Sequence, residues 1–544
     1  MGIIIEIVLD KGWRSYMHDF EWDKVIFLEK GKKGLHRVIF GRTLLILLSF
    51  LLQFGLFFLL FNFLSKYLTV TLGAYILFIV IIELIIINRE GNPAMKISWI
   101  VITLVFPAVG GMLYLYVYLN LGSRMVNHRL NELNQITKQY VVKNPETMQE
   151  LKEADPGMAN LAEYLSSAGH FQVYQNTRVT YFPIGEAKFE EMLKQLQNAK
   201  KFIFLEYFII CEGYMWGRVL NILEEKVRQG VEVRVMYDGF NTLTYLPAHY
   251  PKRLEELGIA CKVFSPIRPI FSTTYNNRDH RKILVIDGHT GFTGGVNLAD
   301  EYINQKMRFG HWKDTAVMLQ GEAVQGLTQM FLEMWNISEK EPVFEPYLNP
   351  ALNHYAGTLK LSEGFVIPYG DSPFDNELVG KQVYLDIINR ADRYVHIMTP
   401  YLILDYEMIQ AITFAAKRGV DMKIILPHIP DKITAFALAK THYQELLRAG
   451  VHIYEYTPGF VHAKVVTSDD DKAVVGTINL DYRSLYLHFE DAVFMYRVPE
   501  NADMEKDFQN TLKLCHEVTM DDVKHEKLRI KLLGIILKII APLM

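Results

Sequence analysis

Two repeated α/β halves packed together, preceded by N-terminal transmembrane helices, form the architecture that the sequence predicts. Three observations predict it. The stretch 276–302 carries His280, Lys282 and Asp287 in the spacing H-x-K-x4-D, followed by Gly294-Gly295-Val296-Asn297. The same spacing recurs as His462, Lys464 and Asp469, followed by Gly476-Thr477-Ile478-Asn479. Ahead of both lie three apolar runs, about 44–64, 68–87 and 97–119, each close to the ~20 residues a helix needs to cross a bilayer.

The duplication is not a product of composition. With 17 His, 57 Lys and Arg, and 61 Asp and Glu in 544 residues, a His-x-basic-x4-acidic pattern is expected about 0.2 times. It occurs twice, and each asparagine follows its histidine by seventeen residues. The formal net charge of −4 advertises no nucleic-acid partner. The mean hydropathy is slightly positive, high for a purely soluble enzyme. Cys211, Cys261 and Cys515 stand far apart without a C-x-x-C, which argues against a disulfide framework or a zinc site and for a reducing compartment.

The halves repeat beyond the motifs. In the first, the apolar strand Phe202–Tyr207 precedes a helix with Trp216, Val219, Leu220, Leu223 and Val227 on one face, a stop at Gly230 and a strand at 231–235. In the second, the strand Tyr394–Met398 precedes a helix marked by Met408, Ile409, Ile412, Ala415 and Ala416, a stop at Gly419 and a strand at 420–426. Alternating strands and helices predict mostly parallel sheets.

The resulting division is 1–43 as an extension, 44–120 as a membrane region of two or three helices, and 121–170 as a linker with some helix. Residues 171–345 and 346–515 are the halves, and 516–544 are a basic amphipathic tail. Residues 1–43 carry early charges, unlike a signal peptide. Basic residues flank the apolar runs on both sides, so one run is expected not to span. The third, interrupted at 107–111, is a candidate re-entrant segment. Glu83 inside the second run is expected to serve helix packing or to snorkel. The tail, with Lys524, Lys527, Arg529, Lys531 and Lys538 among Leu and Ile, reads as a membrane-surface helix or as one docked on the protein's own core.

Residues two apart on a strand face one way. His280 with Lys282, and His462 with Lys464, therefore each present an imidazole and an ammonium together. The candidate catalytic set is both motifs in full: His280, Lys282, Asp287, His462, Lys464 and Asp469. Within it, Asp287 and Asp469 sit at an odd offset and take a structural part, pairing with backbone or a basic group. Asn297 and Asn479 are candidate phosphate binders, returned toward the pocket by the preceding glycines. Asp314 and Glu490, 34 and 28 residues after their histidines, are candidate acceptors that orient the imidazoles. Lysine and asparagine donors suit a phosphodiester and would replace a cation, so no metal is expected. Two histidines allow a covalent route, one attacking phosphorus and the other moving the proton.

At these residues the chain resembles the phospholipase D superfamily and, within it, the bacterial cardiolipin synthases. NNRDHRKILVIDG, GGVNLADEY, VHAKVVTSDD and GTINLDYRSLYLHFE are close to that family's motifs. Arg89-Glu90-Gly91-Asn92-Pro93, ahead of an apolar run containing Gly-x-x-Tyr-Leu, matches its membrane region. The resemblance covers about residues 70–544. It implies two phospholipase D-like halves that make cardiolipin and glycerol from two phosphatidylglycerols through a phosphatidyl-histidine. It further implies His280 as nucleophile, His462 as acid/base, and a multi-pass protein of the bacterial inner membrane with its site on the cytoplasmic side. Phosphatidylglycerol and membrane lipid are the expected partners, nucleic acid is not, and the resemblance implies no cofactor. A phospholipid hydrolase, or cardiolipin synthesis using phosphatidylethanolamine, would use the same residues. Residues 1–68 depart from the family and leave the N-terminal orientation open.

Overall fold

The computed structural model describes residues 68–119, 121–266, 277–348, 360–375 and 377–543, with residues 51, 55, 58 and 59. The extension 1–43 and most of the first apolar run lie outside the described residues.

Each half is built on one sheet, and the two sheets share a strand order. In the first half the order is Thr177–Phe182, Ala316–Gly321, Thr290–Gly294, Lys282–Ile286, Phe202–Tyr207, Glu232–Asp238, Ala260–Phe264. In the second it is Phe365–Asp371, His488–Tyr496, Lys472–Gly476, Val465–Ser468, Tyr394–Met398, Asp421–Pro427, His452–Tyr456, with Cys515–Glu517 added at the edge. The repeat expected from the motifs is therefore a repeat of topology.

The sheets are mixed rather than mostly parallel. Phe202–Tyr207 pairs in parallel with Glu232–Asp238, as a strand–helix–strand unit requires. Lys282–Ile286 instead runs antiparallel to both of its neighbours. Only Asp287, Gly288 and His289 separate it from Thr290–Gly294, a connection short enough for a hairpin and too short for a parallel crossover.

Two small exchanges tie the halves together. Arg278–Asp279, just before His280, pairs with His488 and Phe489 of the second half. Gly459–Val461, just before His462, pairs with His311–Lys313 of the first half. One apolar core takes residues from both halves, among them Phe204, Val285, Phe331, Ile397, Val474 and Phe494. Cys211, Cys261 and Cys515 are free thiols.

The stretch expected as a linker is three packed helices, Leu121–Thr137, Pro145–Ala154 and Pro156–Gly169. Asn144 and Asp155 cap the last two through their side chains, with proline at the first turn of each. Leu130, Leu133, Leu151, Met158, Leu161 and Leu165 are buried in the shared core.

The membrane region is a helix followed by a folded-back pair. The second apolar run is the helix Leu68–Asn88. The third is divided at Phe106 into Pro93–Val105 and Pro107–Leu119, of 13 residues each. These return on one another, so that the rings of Trp99 and Tyr114 lie 5.4 Å apart. At about 1.5 Å per residue each is ~20 Å long, short of a ~30 Å hydrocarbon core. Among the described residues no helix is long and apolar enough to cross a membrane. The described residues therefore do not show the expected multi-pass arrangement, whereas the interruption at 107–111 does mark a reversal. Gly91 at φ +125° and the Asn92 cap on Ala94 explain the turn at 89–93. Glu83 accepts from the Thr103 hydroxyl at 2.5 Å, a helix-packing contact.

The tail helix, Leu528–Lys538, takes the docked alternative. It docks on Ile433–Arg448 through buried Ile530 and Gly534. A Cβ at Gly534 would lie 2.5 Å from Ala437 O. Leu528, Leu532, Ile535 and Ile536, each more than half exposed, face outward. Beyond the helix, Ile539 O accepts from Ser98 Oγ at 2.7 Å, joining the tail to the apolar hairpin.

Gly534→Leu is expected to undock the tail. Limited trypsin digestion would then cut at Lys527, Arg529 or Lys531 several-fold faster than in the wild type. Unchanged protection would show that the contact does not hold the helix.

Candidate active site

Each motif histidine leaves a short exchanged strand and enters the sheet of its own half. The backbone N–H of His280 donates to Phe489 O at 2.9 Å, and that of His462 donates to Lys313 O at 2.7 Å. Both bonds cross between the halves.

The side chains cross as well. His280 Nδ1 lies 2.8 Å from Glu490 Oε2 and 3.0 Å from Oε1. His462 Nδ1 lies 2.7 Å from Asp314 Oδ2. Asp314 and Glu490 therefore do orient imidazoles, but each takes the histidine of the opposite half, not the one it follows in sequence. Holding Nδ1 fixes the tautomer that leaves Nε2 as the reactive nitrogen. The carboxylates are themselves held. Glu490 accepts from the Thr477 hydroxyl, and Asp314 from Thr315 N at 2.9 Å.

The lysines lie beside their histidines. Lys282 Nζ donates to His280 O, and Lys464 Nζ donates to His462 O. Both are 1 % exposed. Asn297 accepts from Ile209 N and donates to Tyr302 OH. Asn479 donates to Ser484 Oγ, and its Oδ1 has no partner among the described residues. Each amide is thus braced by its own half.

Asp287 and Asp469 are elsewhere. Asp287 accepts from the backbone N–H groups of Lys200, Lys201 and Phe202, and Asp469 from those of Asp392, Arg393 and Tyr394. Each sits at positive φ in the hairpin turn and anchors the start of the neighbouring strand. This is the structural part expected of them. They belong to the motif but lie away from the imidazoles.

The electrostatics follow from burial. Burial pushes the His280 imidazole well below its ordinary range, and Lys282, His488 and Lys464 add to it. Burial pushes His462 down to about 4, with Lys464 adding and Asp314 opposing. Lys282 falls to about 8 and Lys464 to about 7, again through burial, opposed first by Glu490 and Asp314 respectively. Both imidazoles are neutral near pH 7, as a nucleophile requires. The lysines are ammonium groups held below their ordinary range.

Several neighbours escaped the reading of the sequence. The rings of Tyr302 and Trp312 lie 5.4 and 5.3 Å from that of His462. Phe208 lies 5.0 Å from His280. Thr477 was legible, because it stands where the first copy has Gly295. A Cβ at Gly295 would lie 1.9 Å from Asp314 Oδ1, whereas the Thr477 hydroxyl donates to Glu490. His280, His488 and Glu490 form a buried trio with ligand atoms within 4.8 Å of one another. Lys282, Lys464 and Arg278 surround it with positive charge, a poor field for a metal cation.

Gly295→Ala is expected to displace Asp314 and lower activity at least about 100-fold, roughly 2.7 kcal/mol of transition-state stabilisation, while circular dichroism stays near wild type. Activity within threefold of wild type would contradict this placement of Asp314. The ammonium form of each lysine is lost as pH rises through its pKa. Activity per unit of free enzyme is therefore expected to fall across pH 7 to 8, and a flat profile from pH 7 to 9 would count against the lysines as anion holders.

Comparison with known proteins gives the family. Residues 192–335 and 384–512 match the family described as "Cardiolipin synthase, PLD-like domain". A cardiolipin synthase of Geobacillus sp. (strain WCH70) is 32% identical over 86% of this chain and 92% of its own. One from Alkalihalophilus pseudofirmus is 29% identical over 92% of this chain and 99% of its own. A crystal structure of phosphatidylserine synthase from Haemophilus influenzae superposes with a TM-score of 0.51 at 16% identity, covering 71% of this chain and 97% of that one, and so shares its fold. On this evidence the chain belongs to the cardiolipin synthase family of phospholipase D-like enzymes.

Proposed function

We propose that the enzyme makes cardiolipin and glycerol from two phosphatidylglycerol molecules through a phosphatidyl-histidine. The observation that carries this reading is the pair of buried imidazoles, each with Nδ1 on a carboxylate and a lysine beside it. His280 Nε2 attacks phosphorus and the bond from phosphorus to the head-group glycerol oxygen breaks. His462, charged at this point because the substrate's phosphate joins Asp314 in favouring the imidazolium form, gives that oxygen its proton from Nε2 and becomes neutral. A hydroxyl of the second phosphatidylglycerol then attacks phosphorus, the phosphorus–nitrogen bond breaks, and His462 takes the proton. Lys282 and Lys464, with Asn297 and Asn479, face the non-bridging oxygens, where charge-assisted bonds contribute roughly 1.5–3 kcal/mol each. The order of the histidines is supported by their surroundings. Asp314 favours the charged form of His462, which suits the proton carrier, while the groups around His280 favour its neutral form.

The protein works at the bacterial inner membrane, with the site on the cytoplasmic side. The apolar hairpin supports this, as does the outward apolar row of the tail. Asn92 at the mouth of the hairpin reaches Tyr486, on the short helix Tyr482–Tyr486 whose Ser484 accepts from Asn479. That contact would set the site at the lipid surface.

Purified protein with labelled phosphatidylglycerol is expected to yield cardiolipin and glycerol, and His280→Ala and His462→Ala at least about 1000-fold less, roughly 4 kcal/mol. Phosphatidic acid without cardiolipin would identify a hydrolase. Cardiolipin only when phosphatidylethanolamine is present would identify that lipid as a substrate.

A further inference from the structure

His488 is a buried histidine that the chemistry above leaves without a task. It opens the strand His488–Tyr496 and pairs with Arg278 where the two halves exchange strands. It is two residues before Glu490, so both side chains leave the same face of the strand. Glu490 reaches His280, and His488 arrives beside it. The rings of His280 and His488 are 5.5 Å apart. His488 is 8 % exposed, and neither ring nitrogen has a hydrogen-bond partner among the described residues. Its Nδ1 is 3.5 Å from Glu490 Oε1, too far for a good bond.

A buried polar ring without partners is costly, and an active site is where such a cost is usually offset by a ligand. The chemistry of the vacant partner can be narrowed. Arg483, Lys282, Arg278 and Lys432 face the ring with positive charge, and burial acts with them to keep it neutral. A neutral imidazole offers one N–H donor and one acceptor lone pair. The non-bridging oxygens of a phosphodiester have no hydrogen to give and already have the lysines. A hydroxyl gives and accepts one hydrogen bond, as the ring does. Asn479 Oδ1, the other buried atom of the site without a partner, is a second acceptor for a hydroxyl hydrogen.

We infer that His488 is a specificity-determining residue that hydrogen-bonds a hydroxyl of the glycerol head group, selecting a neutral polyol over a cationic amine. This rests on the phosphatidylglycerol reading above. An ethanolamine head group would bring an ammonium toward Lys282, Arg278 and Arg483, while glycerol brings no charge.

The test uses the full chain in vesicles of labelled phosphatidylglycerol, alone and mixed equally with labelled phosphatidylethanolamine. His488→Phe removes both nitrogens at similar size. His488→Asn restores one donor and one acceptor. His488→Phe is expected to raise KM for phosphatidylglycerol about tenfold, with a smaller change in kcat. It should also lower the preference for phosphatidylglycerol over phosphatidylethanolamine about tenfold. His488→Asn is expected to recover at least a third of that preference. Should the Phe variant melt well below wild type, His488→Ala is read by the same ratio. KM and preference within twofold of wild type in the Phe or Ala variant would overturn the inference, as would an Asn variant no better than either. If the wild type releases only phosphatidic acid, the synthase reading fails. The same ratios measured on phosphatidic acid release then still decide the role of His488.

Discussion

Each imidazole of the site is fixed by the half of the chain to which it does not belong. His280 is bonded through its backbone to Phe489 and through its ring to Glu490. His462 is bonded through its backbone to Lys313 and through its ring to Asp314. Neither half folded alone would hold its own histidine in the working tautomer. The two-residue pairing at Arg278–Asp279 and the three-residue pairing at Gly459–Val461 are small in area. They nonetheless set the distance between the reacting groups, because the histidines follow them at once.

Burial of that joint supplies the electrostatics. Taking two imidazoles and two ammonium groups out of water disfavours every charged form. The histidines become neutral and the lysines are held near the edge of deprotonation. A phosphodiester entering such a site brings the negative charge that the lysines lack. On the proposed function, substrate binding and the restoration of the ammonium groups would be one event, since preorganised donors stabilise charge best in a site closed to water. Glu490 is drawn into the same balance, because burial pushes its carboxyl well above the usual carboxylate range while Lys282 and the Thr477 hydroxyl oppose the shift.

How much of this the sequence disclosed varies with the range of the interaction. The motifs fixed which side chains share a face, because two residues along a strand is a local rule, and Lys282 and Lys464 obey it. The odd offset of Asp287 and Asp469 was equally local, and their bonds to three backbone N–H groups apiece match it. Pairing between halves is not local. Offsets of 34 and 28 residues suggested that each carboxylate serves its own copy, and only the exchange of strands shows that it serves the other. The same blindness produced mostly parallel sheets from strand–helix–strand units, although the three-residue turn after Ile286 dictates antiparallel pairing. The expected linker 121–170 is likewise folded, because Asn144 and Asp155 cap helices that enter the core and burial against distant residues is not a local signal.

The claim from which the rest follows is that both imidazoles act on one phosphorus, with His280 forming the covalent bond. Acid quenching during turnover of phosphorus-labelled phosphatidylglycerol, followed by mapping of the labelled peptide, tests it directly. The account predicts label on His280 in the wild type, more of it in His462→Ala, and none in His280→Ala. Label on His462, or label retained when His280 is replaced, would contradict it.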